Sequence, residues 1–407
     1  MESDNQLPIY ITSLPTGIAQ GILGTLIPLY LIQSLGASLI DLGVMTFAAS
    51  ALLIPASIIL GSLPDKNRAS KPYILLSFLV ASILLYMMTA TTSIFIFQVL
   101  YVALELASYL RGPSTSVLIA ETFERNKRGA VLARGGFVEG IGAVIGLGLC
   151  TLLVSAIGYR NLLLLACPLT LASFIIALLT LRDSPLYIER SLDRFESVVG
   201  KMEDFSLHLA ADGSITPDFG GDWRFSRSAN MRLFGLGRAV FAFAASNAFT
   251  TLTIFFLTKA NFTSSLIFVV FFVRSVFGAL SYLFIDRVFG SNGGASVKLG
   301  TLMRVALVLM IPLTLLLPMP YSVIFAAITL SLVAISWSVF SVGYSLVTLI
   351  YAQPGSLGLY DAFASIGGAL GNYSGGFIPT VFGFEILFII SGILFLVALV
   401  LFYLSRI

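Results

Sequence analysis

Among the charged residues inside otherwise apolar stretches, four stand out: Glu105, Arg111, Glu139 and Arg274. A charge withdrawn from water is costly, so each is a candidate for holding a solute or an ion, or for carrying a proton. Gln98, Tyr101, Glu105 and Ser108 recur at i, i+3, i+7 and i+10, which places them on one face of a helix. Such a polar stripe suits a water-filled cavity, where a carboxyl group can take up and release a proton. Arg111 and Glu139 each lie 14 residues from Arg125, in the middle of a basic turn. Both therefore sit roughly 13 Å from the same helix ends and are expected to meet as an ion pair, either structural or coupling. Glu105 lies deeper, about 22 Å from those ends and about 120° around the helix from Arg111, so those two do not pair directly. No acid in the second half matches the depth of Arg274. Its expected partner is Glu105 across a cavity, a backbone carbonyl, or an anion.

The elements that carry these residues are membrane helices. Of the 407 residues 57% are apolar and 11% charged, and mean hydropathy is +0.98. A soluble domain carries about 25% charged residues. A chain this apolar must face lipid, and soluble, disordered, collagen-like and coiled-coil classes are excluded. Segments 162–181 and 386–404 contain no charge and are long enough to cross a bilayer as helices. The alternating polarity of a membrane β-barrel is absent. The sequence predicts an all-α protein with twelve spans, near 9–33, 41–63, 72–92, 94–119, 131–156, 158–181, 232–258, 264–286, 297–317, 321–350, 358–380 and 385–405.

Short linkers make consecutive helices antiparallel, with both chain ends on one side. Lys66, Arg68, Lys71, Arg125, Lys127, Arg128, Arg134, Arg287, Lys298 and Arg406 then fall on that side, and only Arg160 and Lys259 on the other. By the positive-inside rule both termini are expected in the cytoplasm, with the chain in the plasma membrane. The acidic start argues against a removed signal peptide. The sequon at Asn261 lies too near the membrane to be a good acceptor. A polar stretch, 182–230, divides the chain into 1–181 and 231–407. Within it Leu192, Phe195, Val199, Met202, Phe205 and Leu209 predict an amphipathic helix on the membrane surface, as a linker or a partner-binding element.

The loop after the second span reads Gly61-Ser-Leu-Pro-Asp65-Lys66-Asn-Arg68, and Asp286-Arg287 falls at the matching place 221 residues later. Gly142, Gly146 and Gly148 in the fifth span are echoed by Gly367, Gly371, Gly375 and Gly376 in the eleventh. Small residues four apart let helix backbones approach closely. These features resemble the major facilitator superfamily, whose loop signature is a glycine followed by an Asp–basic pair. The resemblance covers the whole chain. It implies two pseudo-symmetric six-helix bundles that rock about a midplane site. It also implies an inner gate formed here by Gly61, Asp65, Lys66, Arg68, Asp286, Arg287 and Asp361. Leu147 stands where that family's exporters carry a proline, which counts against drug export. Spans one, four, seven and ten line the cavity in that family. By this resemblance Gln20, Tyr101, Asn247, Trp337 and Tyr344 join Glu105, Arg111, Glu139 and Arg274 as substrate or coupling residues.

Cys150 and Cys167 lie in apolar runs without metal-ligand spacing, and His208 is the only histidine. No nucleophile–base constellation appears, and no phosphate-binding loop precedes a site for ATP. The expectation is a monomeric, proton-coupled secondary transporter of a small organic solute, with Glu105 the leading proton carrier and with neither cofactor nor nucleic acid. Drug-like cations, metabolites and organic anions all remain open as substrates. The alternative is a transporter-like receptor or scaffold that binds without moving its ligand.

Overall fold

A computed structural model describes residues 7–67, 70–123, 125–181, 230–289, 293–351 and 357–407. Within these, the side chains of 57–67, 116, 120–121, 125–130, 132–133, 282–283, 285–289, 349–351 and 357–361 are outside the description. The amphipathic segment expected within 182–230 lies outside the described residues.

The described chain is helical throughout. The helices are α1 (Leu7–Leu29), α2 (Leu39–Asn67), α3 (Ser70–Ala90), α4 (Ile94–Tyr109), α5 (Arg111–Thr122), α6 (Arg125–Thr180) and α7 (Met231–Phe249). They continue as α8 (Leu252–Thr258), α9 (Ser264–Phe289), α10 (Gly293–Met310), α11 (Tyr321–Tyr351), α12 (Leu357–Val381) and α13 (Phe384–Leu404). Breaks follow local chemistry. The expected fourth span divides into α4 and α5 just before Pro113, whose ring opposes the carbonyl of Tyr109. The expected ninth span tightens to a 3-10 turn at Ile311–Leu316, where Pro312 stands near its start. Gly158 turns α6 back with φ 74° and ψ 172°, a backbone position that only glycine takes without strain.

Among the described residues, ten helical segments are long and apolar enough to cross a membrane. One of these, Arg134–Thr180, has 47 residues. At ~1.5 Å per residue it is about 70 Å long, over twice the hydrocarbon core, so the turn at Gly158 divides it into two crossings. That makes eleven. The expected twelfth, α12, is a helix of 25 residues but is not among those apolar segments. Large apolar side chains such as Phe95, Leu152 and Leu179 stay exposed around the belt, as lipid contact requires.

Helix packing repeats along the chain. α1 packs on α6 as α7 packs on α12. α2 meets α4 as α9 meets α11, and α3 meets α6 as α10 meets α13. Contacts between the two halves form a matching couple, α2 with α12 and α6 with α9. The glycine rows explain the closest of these approaches. A Cβ on Gly142 would stand 2.6 Å from the Leu14 carbonyl oxygen of α1, and one on Gly371 2.8 Å from the Ser246 Cβ of α7. Asn372 of α12 ties the halves together: its Nδ2 donates to the Thr46 carbonyl (3.2 Å) and Ser50 Oγ (2.8 Å) of α2, and its Oδ1 accepts from Thr250 Oγ1 (2.6 Å).

Candidate functional site

A cavity of about 470 Å³ lies between the halves. α1 supplies Gln20, α4 supplies Tyr101, Glu105 and Ser108, Arg111 opens α5, and α9 supplies Arg274. Thr250 and Thr253 line it from the break between α7 and α8. The polar stripe of α4 thus lines this cavity, with one departure. Gln98 donates to the Asp41 carbonyl at 3.0 Å and anchors α4 to α2. Tyr101 and Glu105 lie one helical turn apart on the same wall of the cavity.

Arg111 and Glu139 meet at 3.1 Å, as their equal distance from the turn requires. Their side chains remain 23% and 34% exposed, because a second cavity of about 450 Å³ opens beside them. That cavity shares Thr16, Phe78, Ser108 and Arg111 with the central one, so the ion pair stands where the two join. Arg111 also lies 5.8 Å from the centre of the Phe78 ring. Removing one partner leaves the other charge unbalanced. Arg111→Leu alone is therefore expected to lower thermal stability in detergent more than Arg111→Leu with Glu139→Leu. The difference should be about 1–3 kcal/mol, below that of a fully dry pair. Equal stability of the single and double variants would show that the pair is not a unit.

Arg274 faces the central cavity and lies 5.5 Å from the centre of the Phe271 ring. It forms no ion pair with Glu105, although both line the same space, and no other acid pairs with it among the described residues. Asn247 sits behind the cavity wall and is fully buried. Its Nδ2 donates to Ser391 Oγ at 2.8 Å and its Oδ1 accepts from Ser374 Oγ at 2.6 Å, which ties α7 to α12 and α13. Trp337 lines a separate pocket of about 280 Å³. Tyr344 stacks on Phe234 and Phe340 at centroid distances of 5.6 and 6.0 Å. Of the expected inner gate, Arg68 lies outside the described residues. Gly61, Asp65, Lys66, Asp286, Arg287 and Asp361 lie in helices whose side chains there are likewise outside them.

Two further arginines belong to this region and were not singled out from the sequence. Arg304 on α10 is 4% exposed and stands 5.2–5.8 Å from the ring centres of Phe241, Phe249, Trp337 and Phe395. Arg238 on α7 stands 4.9 Å from the Tyr344 ring centre. Arg304 is close enough to Arg274 and Arg238 for their charges to repel. The signal was available, since both are charges inside apolar spans, the rule that marked Arg274. What the sequence lacked was the aromatic shell, which is assembled from three helices, α7, α11 and α13.

The sequence matches the family model of the major facilitator superfamily over residues 9–356. The chain belongs to the major facilitator superfamily. The superfamily fold is also that of its structural neighbours. The nucleoside transporter NupG aligns with a TM-score of 0.71 at 14% identity, over 99% of both chains. The human organic anion transporter MFSD10 (TETRAN) aligns with a TM-score of 0.66 at 17% identity, over 98% of this chain and 99% of that one. No curated protein sequence matches the chain. Membership makes this a multi-pass membrane protein of a transporter family.

Proposed function

We propose that the protein is a proton-coupled secondary transporter of small organic anions, working by alternating access between the bundles 1–181 and 231–407. Both termini face the cytoplasm, the membrane is the plasma membrane, and the working unit is a monomer. The observation that carries the substrate class is the charge balance around the central cavity. Arg111 is offset by Glu139, while Arg274, which lines the cavity, has no acidic partner among the described residues, and Arg304 behind the wall adds to the same positive charge. An anion entering between the halves offsets that excess. Glu105, the carboxylate of the cavity outside the ion pair, takes the proton role. Rocking of one bundle against the other then exposes the site to each side in turn. An organic anion is also what MFSD10 carries, whereas NupG carries nucleosides, so the substrate class rests on the cavity's charge.

The test is thermal unfolding of the purified protein against organic anions, sugars, amino acids and lipophilic cations. A ligand that binds the folded state raises the melting temperature by mass action. Stabilisation by organic anions that disappears in Arg274→Ala is expected. Stabilisation confined to lipophilic cations, and lost in Glu105→Gln, would replace the anion reading with a cation carrier.

A further inference from the structure

The pocket beside Trp337 is separate from the central cavity and differs from it in chemistry. Its lining comes from α2 (Ser50, Leu53), α7 (Arg238, Ser246 and nearby alanines), α11 (Trp337) and α12 (Ser365). The lining contains one positive charge and no carboxylate. Arg238 brings a buried Nε without a hydrogen-bond partner, and so does Arg304, which stands 5.2 Å from the face of the same tryptophan. A buried guanidinium donor left unpaired is costly, and the natural complement of its planar fork is a carboxylate. Trp337 and the small residues that line the pocket with it border a space of about 280 Å³, the size of a one- or two-ring molecule.

The pocket also adjoins the central route. Thr46 and Thr250 line the central cavity, while Ser50 and Ser246, one turn further along the same two chain segments, line this pocket. Asn372 bonds Thr46, Ser50 and Thr250 together, so one side chain forms the wall between the two spaces.

We infer that the Arg238–Trp337 pocket is a second binding subsite, for an aromatic monocarboxylate, separated from the central cavity by the Asn372 crosslink. The carboxylate pairs with Arg238 and the ring lies against Trp337, with Arg304 adding positive potential from behind the indole.

The chain has two tryptophans, Trp223 and Trp337, so Trp223→Phe leaves the pocket residue as the sole indole. The experiment titrates that variant with 4-nitrobenzoate, which quenches indole fluorescence on contact, and with uncharged 4-nitrobenzamide. Saturable quenching by the carboxylate is expected, at least tenfold tighter than by the amide. Arg238→Gln should weaken it at least tenfold and Arg238→Lys less. Ser365→Leu, which fills the pocket from the α12 side, should abolish it and keeps the test sound if Arg238→Gln fails to fold. Quenching that never saturates, or that is equal for acid and amide, would overturn the subsite, as would undiminished affinity in Arg238→Gln. The subsite stands or falls apart from the transport reading. Quenching should survive Glu105→Gln, and saturable quenching in a protein that accumulates nothing would sink the transport proposal alone.

Discussion

Glu105→Gln is expected to abolish accumulation of substrate against its gradient while leaving one-for-one exchange close to wild-type rate. The change removes the titrating group but keeps the shape of the side chain. Exchange needs the site to reorient with solute bound. Accumulation needs in addition that proton movement be tied to that reorientation. In a vesicle with an imposed pH difference, the variant should fall at least tenfold in net uptake and remain within about twofold in counterflow. Glu105 lines the same cavity as Arg274 and Gln20, so under the proposed coupling solute and proton would occupy one space. Full pH-driven uptake in Glu105→Gln would remove the residue from coupling.

The second large effect concerns the glycine rows. Gly142→Val puts a branched side chain where even a Cβ would stand 2.6 Å from the Leu14 carbonyl. Gly371→Val does the same against Ser246 Cβ at 2.8 Å. The opposing atoms belong to helix backbone or sit directly on it, so they yield only if α1 or α7 moves as a body. Overpacking costs about 1–3 kcal/mol where neighbours adjust, and more where backbone is the obstacle. Both variants should lose the monodisperse peak in gel filtration. Gly135→Ala, where a Cβ meets nothing within 4 Å, should keep it. A well-folded Gly142→Val protein would show that the α1–α6 contact is looser than described.

Much of this architecture can be read in the sequence because a bilayer allows few solutions. Runs of about 20 apolar residues become helices, and glycines four apart become their contacts. The turn at Gly158 falls between two such runs, where the sequence expects one. The Arg111–Glu139 pair followed from chain length alone, since both residues lie equally far from one turn. Facing is harder to read. Gln98 sits on the polar stripe of α4 and Asn247 on a span expected to line the cavity, yet they spend their hydrogen bonds on α2, α12 and α13. Helical periodicity fixes which residues share a face but not what that face meets. Arg304 shows the limit most plainly, because its aromatic shell comes from Phe241, Phe249, Trp337 and Phe395, which are up to 154 residues apart in the chain. No local pattern announces such a shell.

The central claim is that a ligand bound between the halves is moved, not merely held. It is tested by taking the organic anion that most stabilises the purified protein and measuring its radiolabelled uptake into proteoliposomes with an imposed pH gradient. The account predicts accumulation above the external concentration, lost when a protonophore collapses the gradient. Saturable binding of the same anion with no accumulation and no counterflow would contradict it, and would make the protein a receptor built on a transporter fold.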